Sequence, residues 1–428
     1  MSQFQIILTT VFGFFIIIGV IMFAGFKGQD APGSVEAVVI WGTLDEQVMK
    51  ATIGDLQKRD NKFEKVKYEQ ISENDFDKVL AERMAEGTGP DVFLLPQSKI
   101  LKHQNKILLI PYEAFSVRNF KDYFIEEGEL YLDDGGILAL PFIIDPLVMY
   151  WNRNIFTRIG IPNPPAYWDN FFAFAIKAIE KDKNKNILTS AVALGEYENI
   201  SNAKEILATL IMQTGNPIVV KNKQIMDVVL RDASDKQTTA TESALRFYTE
   251  FSNPVKETYS WNKSMSDSKN AFLAGDLAIY FGFASELKEL QNKNPNLNFD
   301  VSVMPQVSGA KNNINFGKMQ GLAINKGSKN LTGAFSVISA LITTETLTYL
   351  SQMTNLPPVS KIILAREPTD PYQNIFFRAA LSSKAFLDLD EDTTDLIFQD
   401  MVESVVSGRR ILSDAVSRAD AEMAELLK

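Results

Sequence analysis

The stretch from Phe4 to Phe26 contains no charged residue, whereas the chain that follows has the composition of a large soluble protein. As a helix, this stretch would be about 34 Å long, enough to cross a hydrocarbon core of about 30 Å. It is rich in Ile and Phe, and membrane helices tolerate glycines such as Gly13 and Gly19. The sequence therefore predicts one N-terminal transmembrane helix, with residues 1–27 as membrane anchor or signal and residues 28–34 as linker.

A cleaved secretory signal and an uncleaved membrane anchor are the two interpretations of this segment. A signal peptide has a basic start, an apolar core of roughly 7–15 residues and small residues at the cleavage site. Residues 1–3 carry no Lys or Arg, the apolar stretch is longer, and Met22 makes a cut after Ala24 unfavourable. We favour the anchor, which predicts a protein held at the extracytoplasmic face of the cell membrane.

The composition excludes several classes of function. The formal net charge of −10 argues against nucleic acid as a partner, because phosphates require clustered Lys and Arg. The chain has no cysteine, so disulfides, thiol nucleophiles and Cys-ligated metals are excluded. The one histidine, His103, excludes multi-histidine metal sites, and we expect it at a solvated helix position. No nucleophile-elbow, P-loop or dinucleotide motif occurs, so we expect neither an enzyme nor a cofactor.

The first part of the soluble chain predicts strands that alternate with helices. Val35–Trp41, Val66–Ile71 and Asp91–Leu95 have the patterns of strands, and amphipathic helical segments separate them. This alternation is typical of a parallel sheet built from βαβ units. Ligands of such sheets lie beyond the carboxyl ends of the strands, where Trp41 and Gln97 would share one rim.

Seven short blocks, in this order along the chain, resemble the extracellular solute-binding proteins of family 1, the sugar-type receptors of ABC importers that include maltose-binding protein. Each block is weak alone, and their order carries the resemblance. The blocks are Gly87–Val92, Ala139–Asp145, Tyr150–Phe156, Pro164–Asp169, Ala271–Ile279, Val301–Pro305 and Ser407–Arg409. Two positions depart from the family pattern, since Trp151 replaces the usual tyrosine and Tyr167 the usual threonine.

The resemblance implies an α/β, two-lobed periplasmic-binding-protein-like fold with an interlobe hinge and a ligand in the cleft between the lobes. It places chain crossings near Pro141–Pro146, Phe316–Gln320 and Asn355–Pro358. The resulting lobes are residues 35–142 with 320–354, and residues 146–316 with 358–428. It also implies that the transmembrane subunits of an ABC permease are partners.

A sugar site requires aromatic platforms and a few fixed polar groups, because sugar rings present C–H faces and hydroxyl edges. The residues that the pattern and the resemblance place toward such a cleft are Trp41, Gln97, Asp145, Trp261, Tyr280, Phe283, Phe316 and Gln320. Gly282 would let the backbone approach the ligand closely. We expect Trp151 and Trp168 to be structural instead.

Each of these assignments has an alternative that the sequence leaves open. Trp41 could pack inside its lobe, Gln97 could cap a helix, and Asp145 could form a turn before Pro146. Trp261 lies in a polar stretch, which predicts partial exposure. Of the aromatic residues from Tyr280 to Phe283, at least one is expected to face the ligand and the others to be core.

Three hypotheses of function follow. The first is a membrane-anchored receptor that closes on a carbohydrate-like solute and presents it to an ABC permease. The second is a sensor or scaffold of the same fold that serves a membrane signalling partner. The third is an enzyme acting on polysaccharides, because paired catalytic carboxylates are not recognisable in one sequence.

Overall fold

The computed structural model describes residues 37–222, 225–231 and 239–428. The predicted transmembrane helix at Phe4–Phe26 and the linker after it lie outside these residues. Within the described part, no single helix is long and apolar enough to span a membrane. Among the described helices, one pair, Leu331–Leu341 with Thr344–Thr354, reaches that length and composition together, and the two are bent by 67° at their junction.

The described chain alternates strands and helices over most of its length. The strands are β1 Val38–Gly42, β2 Val66–Gln70, β3 Val92–Pro96, β4 Leu132–Asp133, β5 Gly136–Ile137, β6 Leu140–Asn152, β7 Glu180–Lys181, β8 Ile187–Val192, β9 Val219–Asn222, β10 Ile225–Val228, β11 Leu277–Phe283, β12 Phe299–Ser302, β13 Asn315–Ile324 and β14 Ser383–Lys384. The helices are α1 Glu46–Arg59, α2 Glu73–Ala85, α3 Ile100–His103, α4 Val117–Tyr123, α5 Arg153–Arg158, α6 Phe171–Ala178, α7 Ala203–Gln213, α8 Ala240–Glu250, α9 Ser268–Ala274, α10 Leu287–Lys293, α11 Leu331–Leu341, α12 Thr344–Thr354, α13 Lys361–Leu364, α14 Pro371–Leu381, α15 Glu391–Val406 and α16 Leu412–Glu425.

The chain divides into two compact units. Unit 1 contains the chain up to Ile144 and Met319–Arg366, and unit 2 contains Asp145–Lys318 and Glu367–Lys428. The chain thus changes unit within β6, within β13 and after Arg366. The family resemblance implied the last crossing near Asn355–Pro358, which is earlier along the chain than the change after Arg366.

The sheet of unit 1 has the strand order β2-β1-β3-β13. Strand β1 is parallel to both β2 and β3, and β13 runs antiparallel to β3. The predicted βαβ units are therefore present at the start of the chain. Ser72 caps the start of helix α2, because its side chain accepts a hydrogen bond from the Asp75 N–H.

The sheet of unit 2 is mixed. Strand β6 pairs antiparallel with β11 and β12, β11 is parallel to β8, and β7 runs antiparallel along the far side of β8. Every residue of β11 is buried, which matches its unbroken apolar sequence. The carboxyl end of β11 at Phe283 and the Asp145 end of β6 meet, since Phe283 is in register with Leu147.

The prediction that His103 is solvated is wrong, because its side chain is fully buried in unit 1. Its Nε2 lies 2.8 Å from Asp77 Oδ1, and its Nδ1 lies 3.0 Å from Lys106 Nζ. A lysine ammonium can only donate, so Nδ1 is the acceptor and Nε2 donates to Asp77. Burial is tolerated because both ring nitrogens have partners, a tertiary circumstance that the local pattern does not reveal.

Glu127 is a buried carboxyl group without a hydrogen-bond partner among the described residues. It lies in the 3₁₀ turn Glu126–Tyr131, and both of its carboxyl oxygens are inaccessible to solvent. Burial raises its pKa from the ordinary 4.5 to about 8. At neutral pH the folded protein therefore holds this group protonated, whereas the unfolded chain ionises it.

We expect the free energy of unfolding to fall as the pH rises from about 4.5 to about 8, because the folded state binds a proton in this window that the unfolded state has lost. The limiting slope from this one group is about 1.4 kcal/mol per pH unit. Glu127→Gln removes the group, so it should become more stable than the parent as the pH rises. Urea titrations at several pH values measure this difference, with the exposed Glu113→Gln as the control for loss of one carboxyl group. If the difference in free energy of unfolding between Glu127→Gln and the parent does not grow with pH, the raised pKa of Glu127 is contradicted.

Candidate functional site

Asp145 is the first residue of unit 2 and lies where β6 enters it. Its Oδ1 accepts a hydrogen bond of 3.0 Å from the Ser285 N–H, in the turn that follows β11. Burial raises the pKa of this carboxyl to about 6, although the bond to Ser285 acts in the opposite direction. The carboxyl group therefore titrates close to physiological pH and is held in place by the backbone of a neighbouring element.

Lys318 is the last residue of the segment Asp145–Lys318 of unit 2. Its positive charge acts on Asp145 and lowers the pKa of that carboxyl group. Its Nζ lies 4.3 Å from the centre of the Phe283 ring and 2.9 Å from Glu205 Oε1. Burial lowers the pKa of Lys318, but Glu205 and Asp145 more than offset this, so the pKa is raised. The ammonium group covers the Phe283 ring by a cation–π contact, so a ligand stacking there would have to displace it.

Glu286 organises the residues at the end of β11. Its Oε1 accepts from the Phe283 N–H at 2.8 Å, and its Oε2 accepts from the Tyr280 hydroxyl at 2.7 Å. Tyr280 is buried and stacks on Tyr150 with ring centres 6.0 Å apart. A Cβ at Gly282 would lie 2.5 Å from Tyr280 Cε1, so packing within the unit already accounts for this glycine. Tyr280 is thus part of the core of unit 2, as some aromatics of this stretch were expected to be.

A polar pocket of about 400 Å³ opens beside this cluster, where α7 begins. Among the residues that line it are Tyr197, Glu198, Asn202, Glu205, Asp395 and Gln399. The Tyr197 hydroxyl donates to Asp395 Oδ1 at 2.7 Å, and the Asn202 amide donates to the Phe281 carbonyl at 3.3 Å. Glu205 lines this pocket and also pairs with Lys318. The pocket and the Lys318–Glu205 ion pair therefore form one continuous polar surface within unit 2.

Sequence reasoning did not find this pocket. The signal that could have indicated it is the polar run Glu196–Asn199, which begins four residues after the end of strand β8 at Val192. Carboxyl ends of parallel strands are where ligands bind, and β8 is parallel to β11. Lys204, from the same helix start, is buried and bonds Asp388 at 2.7 Å and Thr394 at 2.6 Å, so it stabilises the wall of the pocket.

In unit 1, Trp41 is the penultimate residue of β1 and is buried, with 7% of its surface exposed. Its indole Nε1 is inaccessible and has no hydrogen-bond partner among the described residues. The same holds for Gln320 Oε1, on β13, whereas its amide nitrogen lies 3.4 Å from Thr43 Oγ1. An unmade hydrogen bond in a buried group costs about 1–3 kcal/mol, so one unsatisfied donor and one unsatisfied acceptor at this rim are consistent with a site that a polar ligand completes.

Gln97 and Phe316 are engaged inside their own units. The buried Gln97 side chain accepts a hydrogen bond from the Met319 N–H and so holds β13 at the point where it enters unit 1. Phe316 is buried, and its ring meets Phe386 edge to face with centres 6.4 Å apart. Both side chains are therefore suited to hold neighbouring residues in position and not to contact a ligand themselves.

The expected partial exposure of Trp261 is wrong, because its side chain is fully buried. Its Nε1 donates to Asn199 Oδ1 at 3.2 Å. The polar residues beside it are used internally: Ser260 Oγ accepts from the Ala191 and Val192 N–H groups, which fastens this stretch across β8. The polarity of the segment thus reflects bonding within unit 2 and not contact with solvent.

The two other tryptophans behave differently from one another. Trp168 is buried and donates from Nε1 to Gln213 Oε1 at 2.6 Å, so it is structural as expected. Trp151 was expected in the core, but it is only half-buried and lines a surface pocket. No cluster of His, Asp and Glu with the spacing of a metal site occurs among the described residues.

Known proteins resemble this chain at low sequence identity. A protein of Brucella abortus (strain 2308), described only as a candidate binding protein, is 22% identical over 353 residues, which cover 78% of this chain and 80% of the relative. The same values hold for a protein of Brucella suis biovar 1 (strain 1330) with a similar description.

Solved structures share the fold. A cyclo/maltodextrin-binding protein complexed with maltotetraose is 17% identical with a TM-score of 0.75, covering 94% of this chain and 99% of that one. A cyclic α-maltosyl-1,6-maltose-binding protein of Arthrobacter globiformis is 15% identical with a TM-score of 0.74, covering 92% of this chain and 100% of that one. A receptor of Streptomyces glaucescens GLA.O, solved unliganded and with acarbose, is 16% identical with a TM-score of 0.68, covering 93% and 99%.

The family profile of bacterial extracellular solute-binding proteins matches residues 41–347. The match covers more than half of the chain and includes both the rim of unit 1 and the Asp145–Lys318 face of unit 2. The protein therefore belongs to the family of bacterial extracellular solute-binding proteins.

Proposed function

We propose that this protein is the extracytoplasmic receptor of an ABC importer, that it binds a carbohydrate-like solute in a cleft between its two units, and that it presents the solute to the permease transmembrane subunits. The N-terminal segment Phe4–Phe26 would hold it at the membrane. Its action is binding without covalent chemistry: ligand contacts bias the equilibrium between open and closed arrangements. Family membership supports the receptor role.

The polar surface of unit 2 is the observation that carries the ligand class. It combines carboxylates, amides and a tyrosine hydroxyl around a pocket of about 400 Å³ with an aromatic ring beneath Lys318. Carboxylates and amides pair well with sugar hydroxyls, which donate and accept at the same time. Asp145 is suited to accept such hydroxyls, because the Ser285 N–H already holds its carboxyl group. The Lys318 ammonium can move from the Phe283 ring to a ligand hydroxyl, which would bare the ring as a platform.

Two atoms of unit 1 suit the same ligand. The Trp41 Nε1 is a donor and the Gln320 Oε1 an acceptor, and both lack partners among the described residues. A hydroxyl group can satisfy either of them. We propose that Trp41, Gln320, Asp145 and Phe283 contact the solute. Gln97, Trp261, Tyr280 and Phe316, which the sequence also nominated, would position these residues, because their own side chains make contacts within their units.

The proposed ligand class is tested by a thermal-shift screen of the purified protein against maltose, maltotetraose, cyclic glucans, short peptides and polyamines. A ligand at 100 times its Kd adds about 2.7 kcal/mol to stability, so a true solute raises Tm measurably. We expect a rise with one or more neutral oligosaccharides. Stabilisation by peptides or polyamines with none by sugars would overturn the ligand class but not the family.

We expect sugar affinity to weaken as the pH falls through about 6, because Asp145 is protonated in that range and an ionised acceptor makes the stronger hydrogen bonds. Asp145→Asn should bind at least about tenfold more weakly at pH 7.5, since a charged partner contributes on the order of 1.5–3 kcal/mol, and it should lose this pH dependence. Isothermal titration calorimetry at pH 5, 6 and 7.5 measures both effects.

Two further variants complete this experiment. Trp41→Phe keeps a six-membered aromatic ring but removes the Nε1 donor together with the pyrrole part of the indole, so it should weaken binding. Asp169→Asn, at an exposed position of unit 2, is the control and should bind like the parent. Parent-like binding by both Asp145→Asn and Trp41→Phe would show that the solute binds elsewhere.

The membrane anchor makes a separate prediction. If Phe4–Phe26 is an uncleaved transmembrane helix, mass spectrometry of the membrane fraction should find peptides that begin before Ala24. The protein should stay in the membrane fraction after a high-salt wash, because a hydrophobic anchor does not respond to ionic strength. A soluble product that begins near Gly25 would identify the segment as a cleaved signal.

A further inference from the structure

A second pocket lies on unit 2 near the carboxyl end of β6, whereas Asp145 lies where this strand enters the unit. It has a volume of about 750 Å³, within the range of small-molecule sites. The residues that define it are Trp151, Arg153, Phe156, Ile161, Pro162 and Asp300. Asp145 and Trp151 are six positions apart on β6, which is about 20 Å along a strand. The pocket shares no residue with the polar surface described above.

The apolar wall of this pocket is built by local sequence. Helix α5 ends at Arg158. Gly160, two residues later, has a φ of +70°, the left-handed conformation that terminates helices, and the Ile161 N–H returns to the Phe156 carbonyl at 3.0 Å. This turn places Ile161 and Pro162 at the mouth. Trp151 packs its edge against Phe156 with ring centres 5.0 Å apart and remains partly exposed. A fixed, partly exposed tryptophan beside a proline suits the C–H face of a ring.

The polar edge of the pocket is an ion pair between elements distant in sequence. Arg153, at the start of α5, pairs with Asp300 on β12, and its guanidinium carbon lies 5.8 Å from the Trp151 ring centre. The Asp300 carboxylate is fixed further, because its Oδ1 accepts from the Val301 N–H at 2.9 Å. The two charges neutralise one another, so the pocket favours neither anions nor cations. Guanidinium donors and carboxylate acceptors side by side match hydroxyl groups, which do both.

We propose that this pocket is a second carbohydrate site that binds one neutral pyranose unit, with its C–H face on Trp151 and its hydroxyls on Arg153 and Asp300. The proposal does not depend on which solute the protein imports. Its position predicts that occupation of this site does not require Asp145. Such a site would bind weakly, with a Kd on the order of 1 mM, because it offers one aromatic platform and an exposed polar edge.

The test uses the full chain labelled with 5-fluorotryptophan, which gives four ¹⁹F resonances because the chain has four tryptophans. Trp151→Phe assigns the signal of Trp151. We expect methyl α-glucopyranoside, maltose and xylobiose, each titrated alone, to shift this signal saturably, and glucuronate and glucosamine to do so more weakly. The same titrations in Asp145→Asn should shift the Trp151 signal as in the parent, even where binding of the imported solute is lost.

Arg153→Ala and Asp300→Asn should each weaken the Trp151 response about tenfold or more. Arg158→Ala is the matched control, since Arg158 lies on the same helix, outside the pocket, and pairs with Glu180 at 3.0 Å. Arg153→Lys keeps the positive charge but removes the guanidinium group. It therefore distinguishes the effect of losing the paired donors from an effect of misfolding. No shift with any neutral sugar, a shift that persists in both pocket variants, or a response to charged probes alone would overturn the proposal.

Discussion

The backbone of Met319 is held on both sides by buried side chains, and the path of the chain depends on this. The Gln97 amide oxygen accepts a hydrogen bond from the Met319 N–H. The Tyr131 hydroxyl lies 3.2 Å from the Met319 carbonyl oxygen and 2.7 Å from the Leu95 carbonyl oxygen. These bonds fix β13 at the first residue that it contributes to unit 1. Buried backbone groups must be paired, so this point of passage cannot slide along the strand without leaving polar atoms unsatisfied.

Unit 2 fixes the same strand just before it leaves. The Asn315 amide donates to the Leu147 carbonyl at 2.9 Å, which ties the start of β13 to β6. Asp145 and Lys318, the residues at which these two strands change unit, both belong to the polar surface of unit 2. The two charges are therefore located at the points where these strands pass from one unit to the other.

The same physical rule separates residues that hold the site from residues that could touch a ligand. Gln97, Tyr280 and Trp261 carry polar atoms that are already paired inside the fold, and pairing leaves them little capacity for a ligand. Trp41 and Gln320 carry buried polar atoms with no partner among the described residues. Sequence reasoning placed all five in one group, because residue type and position relative to a strand do not show where a hydrogen bond goes.

The sequence by itself determined the α/β class, the βαβ start of the chain and the family, because these depend on hydrophobic periodicity and ordered motifs. Only the tertiary structure decided the burial of His103 and Trp261, since each depends on partners far along the chain: Asp77 for the first and Asn199 for the second. It also decided the pocket at the start of α7 and the Trp151 pocket, whose walls come from segments separated by many residues. Periodicity reports which face of an element is apolar, whereas a site is formed by side chains of several elements that only folding brings together.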